Sequence, residues 1–185
     1  MNKGELRKLV RKRIAATGAE ALGLMSLSAC NSVMRTREWK EAKVVLLYMS
    51  MKDETDTRIL VKEAWKEGKT VLLPTCVGED LVLRVYEGEG RMRTGDFGIM
   101  EPVGMIYDEG KYRNIDLAIV PGMAFDRLGG RLGRGRGFYD RLLPKLCNCH
   151  KVGLCWEVQI VECVPMEEHD VAMDCVIYKY CVIYK

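Results

Sequence analysis

No stretch of this sequence approaches the roughly 20 consecutive apolar residues that a membrane-spanning helix requires, so no membrane span is expected. The first residues, MNKGELRKLVRKR, carry too much charge for the apolar core of a secretory signal. There is no G-x-x-x-x-G-K-[ST], which excludes a P-loop. The glycines do not fit G-x-G-x-x-G, which excludes the common dinucleotide fingerprint. An excess of one charge is also missing: 29 basic against 26 acidic residues leave a net charge of +3, too balanced for a dedicated DNA binder. Cysteine is not scarce, at eight, but paired C-x₂-C ligands are absent. Cys147-x-Cys149-His150 is the one cluster with a metal-like pattern, and no second pair matches it. Without a secretory signal the thiols are expected to be reduced and the chain cytoplasmic. Cys30, Cys76, Cys155, Cys163 and Cys175 lie in or beside apolar runs and read as small buried residues.

What is present is a globular composition. A chain of 185 residues, 48% of them hydrophobic, is long enough for a core in one domain spanning 1–185. Residues 3–16 read as a basic amphipathic helix with Leu6, Val10 and Ile14 on one face, and Lys3 and Arg7, four apart, share another. Residues 19–40 read as a second helical stretch ending near Trp39. Lys43–Tyr48 is a strand-length apolar run. Thr55 or Asp56 can cap a helix over Thr57–Glu67, with Ile59, Leu60, Ala64 and Trp65 facing inward and Gly68 ending it. Thr70–Leu73 is the next strand, stopped by Pro74. That order is a parallel βαβ unit. Leu81–Tyr86 alternates as a strand, and 87–114 reads as a long loop holding the apolar island Phe97–Pro102. Leu117–Val120 is a strand, Phe138–Leu146 a helix, and Val152–Cys155 and Val176–Tyr178 are further strands. The alternation predicts an α/β fold: a three-layer, Rossmann-like, open and mostly parallel sheet with helices on both faces. The chain closes on a direct repeat, Cys175–Lys179 and Cys181–Lys185, that reads as a continuous strand or a strand plus tail.

The richest stretch is PGMAFDRLGGRLGRGRGFYDR, Pro121–Arg141, whose loop Arg127–Gly137 holds five glycines and four arginines. Glycine lets the backbone come close to a ligand and turn N–H groups toward it. Arginine offers phosphate oxygens a planar fork of donors. Strand, glycine-rich loop and helix together make a phosphate cradle, placed where ligands bind in α/β sheets, beyond the carboxyl ends of the strands. A mobile basic surface loop is the alternative that composition alone leaves open.

These residues resemble the 5-formyltetrahydrofolate cyclo-ligase family, also called methenyltetrahydrofolate synthetases, over almost the whole length. The strongest mark is P-G-x-x-F-D-x-x-G-x-R-L-G-x-G-x-G-[YF]-Y-D, present as Pro121 to Asp140. Weaker marks are Lys3-Gly4-Glu5-Leu6-Arg7, Ser50 to Glu54, and Gln159, Val164-Pro165 and Asp170. The resemblance implies an enzyme that uses ATP and Mg²⁺ to close 5-formyltetrahydrofolate to 5,10-methenyltetrahydrofolate. It implies ATP binding by Lys3, Gly4, Glu5, Leu6 and Arg7, and by Arg131, Leu132, Gly133, Arg134, Gly135, Arg136, Gly137, Phe138 and Tyr139. It implies catalytic roles for Arg134, Arg136 and Lys3. Folate contacts are implied for Arg7, Met49, Glu54, Phe97 and Arg134 through Phe138, and Mg²⁺ ligation for Asp140 and Asp170. The same comparison leads one to expect a monomer with small-molecule substrates and no nucleic acid or membrane partner. Phe138 departs from the family's commoner first Tyr. Two other readings stay open: an RNA-binding descendant using the Gly-Arg alternation, and a folate-storage protein without turnover.

Overall fold

The structure is a computed structural model that describes residues 1–95 and 98–184. Helix α1 (Lys3–Ala15) starts at a capping box: the Asn2 side chain accepts from the Glu5 amide, and the Glu5 carboxylate accepts from the Asn2 amide. It buries Leu6, Val10 and Ile14, as the spacing predicts. The second helical stretch is two helices, α2 (Ala19–Arg35) and α3 (Arg37–Glu41). Thr36 turns extended between them and caps α3 with its side chain, which accepts from the Trp39 amide.

Strand β1 (Val44–Leu46) leads to α4 (Arg58–Lys66) and β2 (Thr70–Val77). β1 and β2 pair in parallel, completing the expected βαβ unit. On α4 the inward stripe is Leu60, Val61 and Ala64. Trp65 is 51% exposed and instead meets the Tyr86 ring edge-on at 5.8 Å. Gly68, at φ 77, ends the helix as its position suggested.

Pro74 does not stop β2. Opposite it in β3 (Asp80–Val85) stands Leu83, whose carbonyl accepts from the Tyr107 amide on the far side. No bond from residue 74 is needed there. On the other side β1 has already ended, so the missing N–H breaks nothing.

The stretch 87–114 is more ordered than a loop. It holds a hairpin, β4 (Met92–Thr94) with β5 (Met100–Pro102), and a 3₁₀ turn, Glu109–Asn114. Then come β6 (Leu117–Val120), a short ribbon of β7 (Ala124–Phe125) and β8 (Arg131–Leu132), and α5 (Phe138–Leu142). α5 is shorter than expected because Pro144 follows and the chain tightens to a 3₁₀ turn. β9 (His150–Leu154), β10 (Cys175–Tyr178) and β11 (Cys181–Tyr184) complete the order. The terminal repeat folds back on itself: β10 and β11 are antiparallel partners, with Lys179 at φ 52 in the turn.

Among the described residues the main sheet has seven strands in the order β11-β10-β9-β6-β1-β2-β3. Its five inner strands run parallel and its two edges antiparallel, which is the expected mostly parallel α/β sheet. Successive β1 residues serve opposite faces. Val45 and Leu47 pack under α2 and α4, while Leu46 packs with Leu72, Leu142 and Leu143 on the α5 side. Each fully buried leucine contributes about 2 kcal/mol. This double burial explains the continuous apolar runs. Cys30, Cys155 and Cys175 are buried as expected, but Cys163 is exposed and Cys76 only partly covered. Cys149 is buried and Cys147 exposed, so the two do not present a joint ligand face.

Candidate active site

The parallel strands end at a cleft of about 290 Å³. One wall is the glycine loop after β6. Its framework is Asp126, 3% exposed: Oδ1 accepts from the amides of Leu128 and Gly130, and Oδ2 from that of Val164, each at 2.8 Å. Gly129, at φ 84, lies so close to β10's approach that a Cβ there would sit 2.4 Å from the Met173 carbonyl oxygen. Buried Gln159 donates to the Gly122 carbonyl at 2.8 Å. The loop is therefore held at both ends.

Arg131 is 5% exposed and donates to the Pro121 carbonyl and to Asp140 Oδ1. Burial holds its guanidinium below the usual value, with Asp140 acting the other way. Arg134 reaches across the cleft to a second loop. It donates bidentately to Asp53 at 2.6 and 2.9 Å and to Glu54 at 3.0 Å. The hydrogen bonds from Arg134 hold the Asp53 carboxyl below the ordinary carboxylate range.

The second loop, after β1, is folded back on its own strand. The Thr57 hydroxyl donates to the Tyr48 carbonyl, the Tyr48 hydroxyl donates to the Thr55 carbonyl, and Glu54 Oε2 accepts from the Met51 amide. These bonds aim Glu54 into the cleft, which Met49 and Met51 also line.

The third contribution comes from α1. Arg7 Nε donates to the Gly133 carbonyl at 2.8 Å, and its guanidinium lies over Gly135. Lys3 Nζ lies 2.6 Å from Asp170 Oδ2 and 3.2 Å from Glu167. Burial works against both charges of the Lys3–Asp170 pair. Burial is the largest single effect on each, but the hydrogen bonds and charges around the pair, those of Glu167 included, together outweigh it, so Lys3 is raised and Asp170 lowered. Four cations from two distant parts of the chain thus stand at the cleft or beside its glycine loop; Arg131, Arg134 and Lys3 each already hold a carboxylate, and Arg7 holds a backbone carbonyl.

The sequence profile of the 5-formyltetrahydrofolate cyclo-ligase family matches residues 1–179. The chain belongs to this family. A Schizosaccharomyces pombe protein named "Probable 5-formyltetrahydrofolate cyclo-ligase" is 34% identical over 96% of this chain and 95% of its own length. The 5-formyltetrahydrofolate cyclo-ligase of Haemophilus influenzae is 32% identical, over 90% of this chain and 94% of its own. The solved structure of the Aquifex aeolicus 5,10-methenyltetrahydrofolate synthetase superposes with a TM-score of 0.87 at 35% identity, covering 100% of this chain and 93% of the other.

Within this cyclo-ligase fold, the structure brings most sequence-predicted residues together. Arg131, Gly133 through Tyr139, Asp140, Met49 and Glu54 line one cleft. Leu6 and Leu132 are buried at 4% and 1%, and their side chains pack in the core. The Glu5 side chain is engaged in the capping box. Phe97 lies outside the described residues. Asp140 does not pair with its sequence neighbour Arg141; its partner is Arg131, while Arg141 goes to Asp80. Among the described residues the acid-rich group that could hold an ion is Glu167, His169 and Asp170. Asp140 is not part of it.

Sequence reasoning missed Asp53, the bidentate partner of Arg134, because an acid in a polar loop carries no signal of its distant partner. It also missed Asp126, although the residue stands inside the signature. An aspartate two and four residues before glycine-loop amides is an Asx-type turn pattern, and that was legible. Glu101, 6% exposed in β5, was passed over as part of an apolar island.

Proposed function

We propose that the chain catalyses ATP-dependent ring closure of 5-formyltetrahydrofolate to 5,10-methenyltetrahydrofolate, with ADP and phosphate as the other products. The observation that supports it most is Arg134. It stands in the glycine loop, lines the cleft and is held in place by Asp53 and Glu54. An N-formyl oxygen is a poor leaving group. In the proposed path it attacks the γ-phosphorus, and the bond from that phosphorus to the ADP oxygen breaks. The N5 lone pair forms an iminium with the formyl carbon. N10 then attacks that carbon, the carbon–oxygen bond breaks to release phosphate, and the N10 proton leaves. Such chemistry asks the protein for positioning and charge neutralisation.

In this reading Lys3 and Arg7 hold the triphosphate from α1, and Gly133, Gly135 and Gly137 admit it close to the backbone. Arg134 and Arg136 face the transferring phosphoryl group. Glu54 and Met49 receive the pterin. The protein acts as a cytoplasmic monomer, one domain per site.

The donor set suits Mg²⁺, a hard cation that takes carboxylate and phosphate oxygens. Asp140 and Asp170 would hold it, each lending the oxygen not already bonded to Arg131 or Lys3. Bound there, the ion neutralises phosphate charge. Asp140→Asn is expected to raise the Mg²⁺ concentration for half-maximal ATP binding about tenfold, the loss of one charge-assisted ligand. Thermal unfolding of the variant reads separately the weakened hold on Arg131. An unchanged metal titration leaves Asp140 with that holding role alone.

The function itself is tested by mixing purified protein, 5-formyltetrahydrofolate and MgATP and following the near-ultraviolet absorbance of the conjugated methenyl product. An ATP-dependent rise abolished by a chelator is expected. Folate binding without any rise would instead make the protein a folate store. RNA binding without folate binding would favour the Gly-Arg loop as a nucleic-acid site.

A further inference from the structure

Among the described residues three carboxylates line the cleft: Glu54, Asp140 and Glu101. Two are engaged by arginines, Glu54 by Arg134 and Asp140 by Arg131. Glu101 has no cation partner among the described residues. It is 6% exposed, and its one hydrogen bond among the described residues is a long one, from the Cys76 amide at 3.4 Å. A carboxylate taken out of water without a partner is costly. Beside a cavity, such a group is a recognition element for what enters it.

The backbone around Glu101 is shaped to keep it there. Residue 95 precedes the tip of the β4–β5 hairpin, and a Cβ on Gly95 would lie 2.1 Å from Glu101 Cδ. Any side chain at that position displaces the carboxylate.

The surroundings select the ligand. Pro74, Leu81 and Ile99 line the cleft with Glu101 and bring no charge. A triphosphate is repelled by an uncompensated carboxylate and drawn to the glycine loop, where the guanidinium groups are. What suits a carboxylate in an apolar wall is a flat, neutral ring with N–H donors. A reduced pterin is such a ring: its 2-amino group, N3–H and N8–H are all donors.

We propose that Glu101 is a further recognition residue for the pterin of the folate substrate, accepting from its N–H donor edge. It acts beside Glu54, whose carboxylate is shared with Arg134. This rests on the reading of the cleft as the folate site.

The test is equilibrium binding of 5-formyltetrahydrofolate without ATP, followed by steady-state kinetics, on wild type, Glu101→Gln, Glu101→Ala and Gly95→Ala. The folate Kd and KM are expected to rise about tenfold for Glu101→Gln and about a hundredfold for Glu101→Ala, as for one or two hydrogen bonds to a charged group. Gly95→Ala keeps the charge but moves it, and is expected to fall between them. The KM for MgATP stays within about twofold of wild type, since Glu101 does not face the phosphates. A folate Kd equal to wild type in a folded Glu101→Ala protein overturns the proposal. So does an ATP KM that rises while the folate KM does not. If Glu101→Ala fails to fold, Glu101→Gln decides on the same two readings. Wild-type protein that binds no folate sinks the site reading itself, which is a different result from wild type and variant binding equally.

Discussion

Arg134→Ala is expected to lower turnover about a thousandfold while the fold stays intact. The magnitude is that of removing one preorganised donor from a developing charge, at the upper end because phosphoryl transfer relies on charge neutralisation. Stability should change by about 1 kcal/mol or less, because Asp53 and Arg134 are partly exposed and screened by solvent. The substitution does a second thing. It leaves Glu54 in the cleft wall and Asp53 beside it without their cation, so the KM for ATP should rise as well. The double variant Asp53→Asn with Arg134→Ala separates the two effects. It should recover ATP affinity by removing the repulsion and recover none of the turnover. Arg134→Lys should sit between, since an ammonium supplies the charge but not the planar fork that matches Asp53 in the free protein. Steady-state kinetics with circular dichroism check the set. Near-normal turnover in Arg134→Ala would remove this residue from the chemistry and leave it as a strut between two loops.

The pairing of Arg134 with Asp53 and Glu54 also shows where sequence reading ran out. The glycine loop was legible because spaced glycines and arginines have a local meaning: close approach and anion recognition. The β1-α4-β2 unit was legible because helix and strand periods are local too. Ion pairing across 80 or so positions is not local, and no acid in 50–56 announces which arginine it meets. The β4–β5 hairpin was missed for a related reason. Each strand has three residues, and the pairing of Met92 with Pro102 stabilises what neither segment favours alone. Pro74 and Trp65 misled for the opposite reason, because a rule with sound local physics was overridden by neighbours. The ladder around Pro74 asks nothing of its nitrogen, and Tyr86 gives the outward face of α4 an aromatic partner.

Asp126→Ala is expected to be the most destabilising single change in the site. Its carboxylate is 3% exposed and accepts three backbone N–H bonds, from Leu128, Gly130 and Val164. Truncation leaves those donors without a partner in a place where water has little room. At roughly 1–3 kcal/mol for each buried donor left unpaired, the loss is about 4 kcal/mol. For a chain of this length that lowers Tm by about 12 °C. The functional consequence follows from position. Asp126 ties the turn after β7 to the segment before Pro165, so it sets where β8 begins and where Arg131 and Arg134 project. ATP binding should therefore fail at temperatures where the sheet is still folded. Asp126→Asn keeps the shape and one accepting oxygen but turns an amide N–H₂ toward a backbone donor. About half the stability loss is expected from it. Thermal unfolding and nucleotide binding, measured on both variants, check the argument together. If Asp126→Ala melts within about 3 °C of wild type and binds ATP normally, the loop is held by something other than this carboxylate, and the account of how the glycine loop is positioned fails with it.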